Sequence, residues 1–230
     1  MSTAETAIAE AQAAQAREDW DTALTLWADV RAQHPDRPDG WLEAVHCLGK
    51  AGRPLDMETM YGEASERFPH LERPAIEFAW MAHHRRDWTA ATERWQRLHR
   101  LFPGHLSGYL GGAFTLSAAG DATGADALLE QAMAASPDNP EFFVVHARQA
   151  HHRGDLAAAL PRWAAVRERF PANPRGYIEG AACLRDAGDL PGAEAVIARA
   201  IEQFPDDINL AMEFPRLAER RDDHAAAAER

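Results

Sequence analysis

Prolines recur at a fixed interval of 34 residues along this chain of 230 residues. The series consists of Pro35, Pro69, Pro103, Pro137, Pro171 and Pro205. Proline lacks a backbone N–H and disfavours helical conformation in the residue before it, so it marks the turn that ends a helix. A fixed period of this length is the signature of a repeat protein, in which each period forms one small unit that stacks on its neighbours. The sequence therefore predicts an array of 34-residue repeats.

Three further residue series share this period and divide each repeat into two helices. Aspartates suited to cap the start of a second helix occur at Asp19, Asp87, Asp121, Asp155, Asp189 and Asp223, with Arg53 as the one exception. Glycines suited to a left-handed turn stand directly before four of these seven positions, at Gly52, Gly120, Gly154 and Gly188. Small residues that allow close helix packing occur at Ala23, Ala91, Ala125, Ala159, Ala193 and Ala227, with Met57 as the exception. Each repeat is thus predicted to be helix, tight turn, helix and proline-containing turn.

This pattern resembles the tetratricopeptide-repeat family. The family's aromatic residue near the start of the first helix is matched by Trp41, Tyr109, Phe143 and Tyr177, and its large residue in the second helix by Trp27, Tyr61, Trp95, Leu129, Trp163 and Ile197. The resemblance implies an all-α fold, a right-handed solenoid of antiparallel helix pairs. Residues 1–230 would form one array, with repeats at about 4–37, 38–71, 72–105, 106–139, 140–173 and 174–207 and a partial seventh at 208–230.

A longer period of 68 residues lies over the first, because the segment 82–88 resembles the segment 150–156. Two kinds of repeat therefore alternate. Their contact is expected to place Trp27 against Trp41, with equivalent aromatic pairs two and four repeats further on, Trp95 with Tyr109 and Trp163 with Tyr177. We expect these three tryptophans, and the two cysteines at Cys47 and Cys183, to be buried in the core.

The resemblance also implies a binding surface, because the first helices of such arrays line a concave groove that receives a peptide or a helix. By register, the predicted groove contains an apolar stripe of Leu42, Ile76, Leu110, Val144 and Ile178. The next turn adds His46, Trp80, Phe114 and Arg148, and titratable or cationic residues follow at His83, His84, His151 and Arg185, with Arg73 and Arg175 nearby. Trp80 and Phe114 have no evident buried partner in the sequence, which favours a binding role. The alternative is that the stripe only completes the packing between repeats.

The charged residues of this groove leave two interpretations open. Arg73, Arg148, Arg175 and Arg185 suit an acidic or phosphorylated ligand, or they are solvated surface charges. The lysines and asparagines with which one subclass of the family grips a terminal carboxylate are absent, so that type of clamp is not expected. No metal site is expected either, since the pairs His83-His84 and His151-His152 belong to repeats two apart, roughly 20 Å. Protonation of these histidines near pH 6 would change the charge of the groove.

Several functional classes are disfavoured by composition and motifs. The formal net charge of −12 opposes nucleic-acid binding, and no stretch is long and apolar enough for membrane insertion. Phosphate-binding loops, nucleophile–histidine pairs and zinc-binding helix motifs are absent, so neither an enzyme nor a cofactor is expected. An N-terminus without a leader pattern suggests a cytoplasmic location, and the two cysteines do not speak against a reducing compartment. The excess of arginine over lysine suggests a bacterial genome.

The sequence therefore predicts a non-catalytic scaffold or adaptor that binds a protein or peptide through the groove. One alternative is a structural module that self-associates through the ends of the solenoid, and another is the repeat arm of a larger bacterial protein, for example one of glycosyl transfer. Residues 227–230 repeat the register of residues 91–94 without the packing residue that follows there. We therefore expect either a fragment of a longer protein or an array completed by another molecule.

Overall fold

The structure is a computed structural model, and it describes residues 3–207. Within these residues the chain forms twelve α-helices and no strand, with two consecutive helices in each predicted repeat. The helices are α1 (Ala4–Ala16), α2 (Trp20–Gln33), α3 (Asp39–Lys50), α4 (Pro54–Arg67), α5 (Glu72–His84), α6 (Trp88–Leu101), α7 (Leu106–Ala118), α8 (Ala122–Ala135), α9 (Pro140–His152), α10 (Leu156–Arg169), α11 (Pro174–Asp186) and α12 (Leu190–Gln203). Each pair fills one predicted repeat, which confirms the all-α solenoid class. The predicted partial seventh repeat, 208–230, lies outside the described residues.

The chain divides into two compact units, Met1–Ala125 and Asp126–Arg230, which we call the N-terminal unit and the C-terminal unit. In the N-terminal unit, α1 to α7 pack in chain order and α5 also touches α7. In the C-terminal unit, α9 to α12 pack in the same way and α9 touches α11. First helices of neighbouring pairs thus lie side by side within each unit. That all the repeats act as a single array stays a prediction.

The turn inside each pair forms as the sequence predicts. Asp87, for example, precedes α6, and its Oδ1 accepts the Ala90 backbone N–H at 3.1 Å. The four glycines before the cap positions have φ between +69° and +88°, a conformation that costs a residue with a side chain more than it costs glycine. At the two equivalent positions without glycine in the described range, Glu18 and Arg86 adopt the same left-handed conformation, with φ of 59° and 62°. The backbone geometry is therefore kept even where the favourable residue is missing.

The turns between pairs explain the proline series. The residue before each proline caps the preceding helix, and its carbonyl accepts the N–H three residues further on, as from Leu71 to Phe68 at 2.9 Å. Pro69 is therefore the second residue of a β-turn, where its fixed φ is already correct. The same bond recurs at every one of these turns, for example from Asn173 to Phe170 around Pro171. Each repeat consequently ends at the same point.

The core of each unit is built from the predicted small and large residues. Trp27, Trp95 and Trp163 are 0%, 2% and 0% exposed, which confirms that they are core residues. Both cysteines are buried and unbonded, as expected. The alanine series at the described helix crossings is fully buried, so the backbones of paired helices come close together.

The predicted pairing of aromatic rings was wrong. Trp41 packs edge-on against Phe68 at 5.2 Å, and Tyr177 packs against Phe204 at 5.7 Å, so each ring meets the residue before the proline of its own repeat. Trp95 lies instead under Gly111, where an added Cβ would overlap the indole ring. At this one crossing, the absence of a side chain at Gly111 leaves room for the Trp95 ring against α7.

Candidate partner-binding surface

Three of the predicted groove residues meet at one pocket in the N-terminal unit. The pocket has a volume of about 390 Å³ and is lined by residues of α3, of the first two turns of α4 and of the first turn of α5. Its lining is Leu42, Val45, His46, Gly49, Lys50, Met57, Tyr61 and Arg73. We call it the α3–α5 pocket. Apolar side chains form part of its wall and its two charged lining residues are cationic, so it combines hydrophobic and electrostatic attraction for a ligand.

Tyr61 contributes a hydroxyl group to the α3–α5 pocket. The residue is 7% exposed, and within the described part of the chain its hydroxyl makes no hydrogen bond. Burial, followed by the nearby carboxylate of Glu77, raises the pKa of Tyr61, and Arg73 opposes this shift. The hydroxyl is therefore protonated at neutral pH and remains a hydrogen-bond donor.

Trp80 has a buried partner, contrary to the expectation from the sequence. Its ring packs edge-on against Trp95 at 5.1 Å and stacks on His84 at 5.7 Å with an interplanar angle of 22°. It also contacts His83 at 5.0 Å. The residue is half-buried, so one part of the ring completes the core while another part stays accessible. Trp80 therefore supports the fold as well as the surface.

His83 is tied to the core through a chain of hydrogen bonds. The indole N–H of Trp95 donates to the Thr115 hydroxyl at 2.9 Å, and His83 Nδ1 lies 2.9 Å from the same oxygen. Burial and the neighbouring His84 lower the pKa of His83, which favours the neutral ring at pH 7. A neutral Nδ1 accepts the Thr115 O–H, so the indole, the hydroxyl and Nδ1 are all satisfied.

The remaining predicted residues of the N-terminal unit are partly accessible. Ile76 is half-buried and packs on the core beside Trp95, while Leu110 and Phe114 on α7 are also half-buried. Arg73 is exposed and makes no ion pair with any residue that the structure describes. This side of the N-terminal unit therefore presents apolar and aromatic surface with uncommitted positive charge.

The predicted residues of the C-terminal unit are arranged differently, because their charges are already paired. Arg148 on α9 makes two hydrogen bonds to the Glu179 carboxylate on α11, at 2.7 and 2.5 Å, and these raise its pKa. Arg175 bonds to Glu141 at 2.6 Å and approaches Glu179 at 3.4 Å. These pairs join α9 to α11 and engage both guanidinium groups in ion pairs within the protein.

A second group of pairs extends this network toward the ends of the same helices. His151 Nε2 and Arg185 Nε lie 3.0 and 3.1 Å from the two carboxylate oxygens of Asp186. Val144 is fully buried and packs against Trp163, so it is a core residue and lines no surface. Ile178 is half-buried against the core of the last described pair. The open half of the predicted site is therefore the one in the N-terminal unit.

The sequence interpretation missed a pair of matching ion networks, each of which joins a second helix to the following helix pair. In the N-terminal unit, Glu58 is 8% exposed and bonds to both Arg85 and Arg94, the latter at 2.7 Å. The Arg94 guanidinium also lies 3.4 Å from the Phe78 ring centroid and donates to the Phe78 carbonyl at 2.6 Å. The 68-residue period would have located this network, because each member has an equivalent 68 residues further on.

That equivalent network is centred on Asp126 in the C-terminal unit. Asp126 accepts from Arg162 at 2.8 Å and from Arg153 at 3.1 Å. Burial alone would raise the pKa of Asp126, but these two arginines lower it. His146 occupies the position of Phe78, with Arg162 donating to its backbone carbonyl at 3.1 Å. Burial, and then the charge of Arg162, lower the pKa of His146 to about 4, so its 3.8 Å approach to Asp126 is no ion pair at neutral pH.

The described residues contain neither a cluster of metal ligands nor a membrane-spanning helix. Among residues 3–207, no three His, Cys, Asp or Glu side chains come together as metal ligands. No helix in the same range is long and apolar enough to cross a lipid bilayer.

Comparison with known proteins places the chain among repeat proteins. The family model described as tetratricopeptide repeat matches residues 150–212. No curated protein matches the sequence. Among solved structures, the chain is similar to PilW, a widely conserved type IV pilus biogenesis factor, with a TM-score of 0.58, 16% identity and coverage of 91% of this chain and 97% of that one.

The chain is also similar to two further solved structures. PilF of Pseudomonas aeruginosa gives a TM-score of 0.55 at 12% identity, with 93% of this chain and 96% of that one covered. YrrB, described as a TPR protein with an unusual peptide-binding site, gives 0.51 at 13% identity, with coverage of 81% and 96%. Identities this low show the fold alone. The match of residues 150–212 to the tetratricopeptide-repeat model, the 34-residue period and the two helices in each repeat together show that the described residues have the tetratricopeptide-repeat fold.

Proposed function

We propose that the chain is a non-catalytic scaffold that binds a protein or peptide through the first-helix side of its N-terminal unit. The observation that carries this proposal is the contrast between the two units. Leu42, His46 and Arg73 line an accessible pocket, whereas Arg148 and Arg175 at the corresponding side of the C-terminal unit are held by internal ion pairs. The binding role is thereby assigned to one half of the residues that the sequence predicted.

The contrast matters because a paired charge has little left to offer a ligand. Breaking a partly buried pair leaves an uncompensated charge, which offsets whatever the new contact contributes. An exposed guanidinium beside apolar surface has no such cost, and it suits carboxylate or phosphate groups. The half-buried Trp80 and Phe114 add aromatic area of the kind that dominates binding energies at interfaces. The similarity to YrrB adds that this fold occurs in a protein with a peptide-binding site.

A matched pair of substitutions tests the proposal. Leu42 and Ile178 occupy the same position in repeats of the two units, and both are half-buried. Extended peptides displayed on phage are first selected on the wild-type chain. The Leu42→Gln variant is expected to lose at least about tenfold in affinity for the selected peptides, as loss of a buried apolar contact implies, while Ile178→Gln keeps it. Equal loss in both variants, or loss in neither, would refute the assignment.

Stability and assembly are followed in the same samples. Circular dichroism reports whether each variant remains helical, which separates loss of binding from unfolding. Phe114→Ala is a cleaner second variant than Trp80→Ala, because Trp80 packs on buried Trp95 and its removal also weakens the core. Light scattering over the micromolar range is expected to show constant mass. A mass that rises with concentration, without any selected peptide, would instead support a self-assembling module.

A further inference from the structure

The α3–α5 pocket has the features of a site for one particular class of ligand. Leu42, Val45 and Met57 provide apolar wall, and the volume of about 390 Å³ is that of a pocket for a small ligand or a single large side chain. His46, Lys50 and Arg73 contribute the titratable and charged side chains of the lining, and no carboxylate is among the lining residues. This arrangement is unusual in a chain with 36 acidic and 24 basic side chains, because acidic groups are the more abundant neighbours.

The two permanent cations of the pocket are uncommitted. Lys50 is exposed, as is Arg73, and neither makes an ion pair with any residue from 3 to 207. Lys50 is also the only lysine of the chain. Elsewhere in the N-terminal unit, Arg85 and Arg94 are both bonded to Glu58. The lining therefore carries a net positive charge that no internal ion pair neutralises.

Tyr61 supplies the pocket with a polar group that the other described repeats lack at this position. At its position in the other described repeats stand tryptophan, leucine or isoleucine, at Trp27, Trp95, Leu129, Trp163 and Ile197. Only 7% of Tyr61 is exposed, yet its hydroxyl has no partner among the described residues. By comparison, the Tyr177 hydroxyl donates to Gln203 at 2.9 Å. The hydroxyl itself is not a buried, unsatisfied atom, so it reaches solvent, and an acceptor that enters the pocket can replace water as its partner.

We infer that the α3–α5 pocket binds a monocarboxylate with a short apolar body, whose carboxylate is held by Lys50, Arg73 and the Tyr61 hydroxyl. The apolar body would lie against Leu42 and Met57. This inference deepens the proposed binding role and rests on it. It differs from a clamp built on first helices alone, because Tyr61 belongs to the second helix α4. Two sources share this chemistry, a free organic acid and the C-terminal residue of a polypeptide.

One neighbouring charge opposes the ligand and makes the inference sharper. Glu77 lies one turn after Arg73 on α5 and is close enough to the Tyr61 hydroxyl to contribute, after burial, to its raised pKa. A bound carboxylate would feel the same negative charge. The Glu77→Gln variant is therefore expected to bind an apolar monocarboxylate about threefold more tightly, as removal of a partly screened like charge implies.

The test uses the full chain labelled with ¹⁵N and three small probes, N-acetyl-leucine, N-acetyl-leucinamide and inorganic phosphate. N-acetyl-leucine is expected to bind with a Kd on the order of 1 mM, the range for a ligand of this size, and to shift amide signals around Lys50, Tyr61 and Arg73. The amide and phosphate are each expected to bind at least about tenfold more weakly, because one lacks the charge and the other the apolar body. Equal binding of the amide or of phosphate would overturn the inference, as would shifts confined to other helices.

Variants then separate the pocket from general electrostatics. Lys50→Gln and Arg73→Gln are each expected to weaken N-acetyl-leucine binding about fivefold to tenfold, and Tyr61→Phe about fivefold, as loss of one hydrogen bond implies. Arg53→Gln is the matched control, because it removes the same charge from an exposed pair with Asp56 outside the pocket lining. Equal weakening in the control variant would show a nonspecific charge effect and contradict the site.

A peptide arm distinguishes the two sources. A pentapeptide ending in leucine, with a free carboxylate, is compared with N-acetyl-leucine. Binding at least about tenfold tighter than N-acetyl-leucine identifies a polypeptide C-terminus as the ligand, and equal affinity identifies a free acid. If none of these carboxylates binds while phage-selected peptides still require Leu42, the inference fails and the proposed function stands.

Discussion

His146 offers the sharpest test of how the two units differ, because it stands where the N-terminal unit has Phe78. Its ring is nearly buried, and Nε2 is buried without a hydrogen-bond partner among the described residues. Burial and the charge of Arg162 disfavour the imidazolium and so lower its pKa, and the charge of Arg153 adds to this, while Asp126 opposes it. The perturbation is His146→Phe, which copies the residue of the N-terminal network and leaves the backbone bond from Arg162 to residue 146 intact.

The expected magnitude follows from the pKa of His146, about 4 in the folded protein against about 6.5 in an unfolded chain. Between these values the unfolded state binds more protons, so the stability of the wild type falls as the pH falls from about 6.5 to about 4 and then levels off. At pH 5 this proton uptake costs the wild type about 2 kcal/mol, and at about pH 7.5 it costs almost nothing. The His146→Phe variant lacks this group, so its advantage over the wild type should grow by about 2 kcal/mol between about pH 7.5 and about pH 5.

The assay is urea denaturation at both pH values, combined with hydrogen exchange of α9 and α10. Exchange is needed because stacked repeats can unfold in parts, and a single global transition then misreports the local free energy. Asp126 stays ionised above about pH 5 in both proteins, since its pKa is lowered, and its contribution cancels in the difference. The reciprocal variant, Phe78→His, should introduce the same pH dependence in the N-terminal unit. Parallel stability profiles for wild type and His146→Phe would refute the reasoning.

Three further variants test separate parts of the structure. Arg86→Gly is expected to stabilise the chain by about 0.5–1 kcal/mol in thermal denaturation, because the left-handed conformation at this position favours glycine, and a lower Tm would contradict this. The buried Trp163 N–H has no partner among the described residues, whereas Thr115 accepts the equivalent N–H of Trp95. Cys183→Thr should supply such an acceptor and raise the free energy of unfolding by about 1 kcal/mol, and an unchanged urea midpoint would count against this. Glu58→Gln should lower the free energy of unfolding by about 2 kcal/mol, because the partly buried Arg94 loses its counter-charge. Arg85 adds little to this figure because its side chain is 43% exposed, and a loss of stability below about 0.5 kcal/mol would show that water replaces the ion pair.

The features that could be read from the sequence are those that repeat and those that act locally. The caps, the left-handed glycines and the proline turns each involve residues within a few positions of one another, so a 34-residue period exposes all of them at once. The burial of Trp27, Trp95 and Trp163 followed from the same register. The ion networks at Glu58 and Asp126 were also within reach, because their members share the 68-residue period.

The candidate site was only half predictable. The register located the first-helix residues, but it assigned equal roles to Arg73 and Arg148, which differ in the structure because only Arg148 faces a carboxylate on the next first helix. It likewise treated Trp80 as unpartnered, although Trp95 lies beside it. Tyr61 was grouped with the core series, and its hydroxyl, which has no partner in the described range, was not anticipated.

The amino-acid sequence by itself thus determined the architecture, since helices, caps and turns depend on contacts between residues close in the chain and recur with a fixed spacing. Only the tertiary structure decided which charges remain available, which aromatic rings touch and which buried groups lack partners. Those properties depend on how side chains of separate helices, typically about 30 residues apart, meet across a packed contact. One side chain on the facing helix can change these properties without changing the repeat. Gly111 and Glu179, for example, occupy equivalent positions 68 residues apart in sequence, but only Glu179 offers a carboxylate to its neighbours.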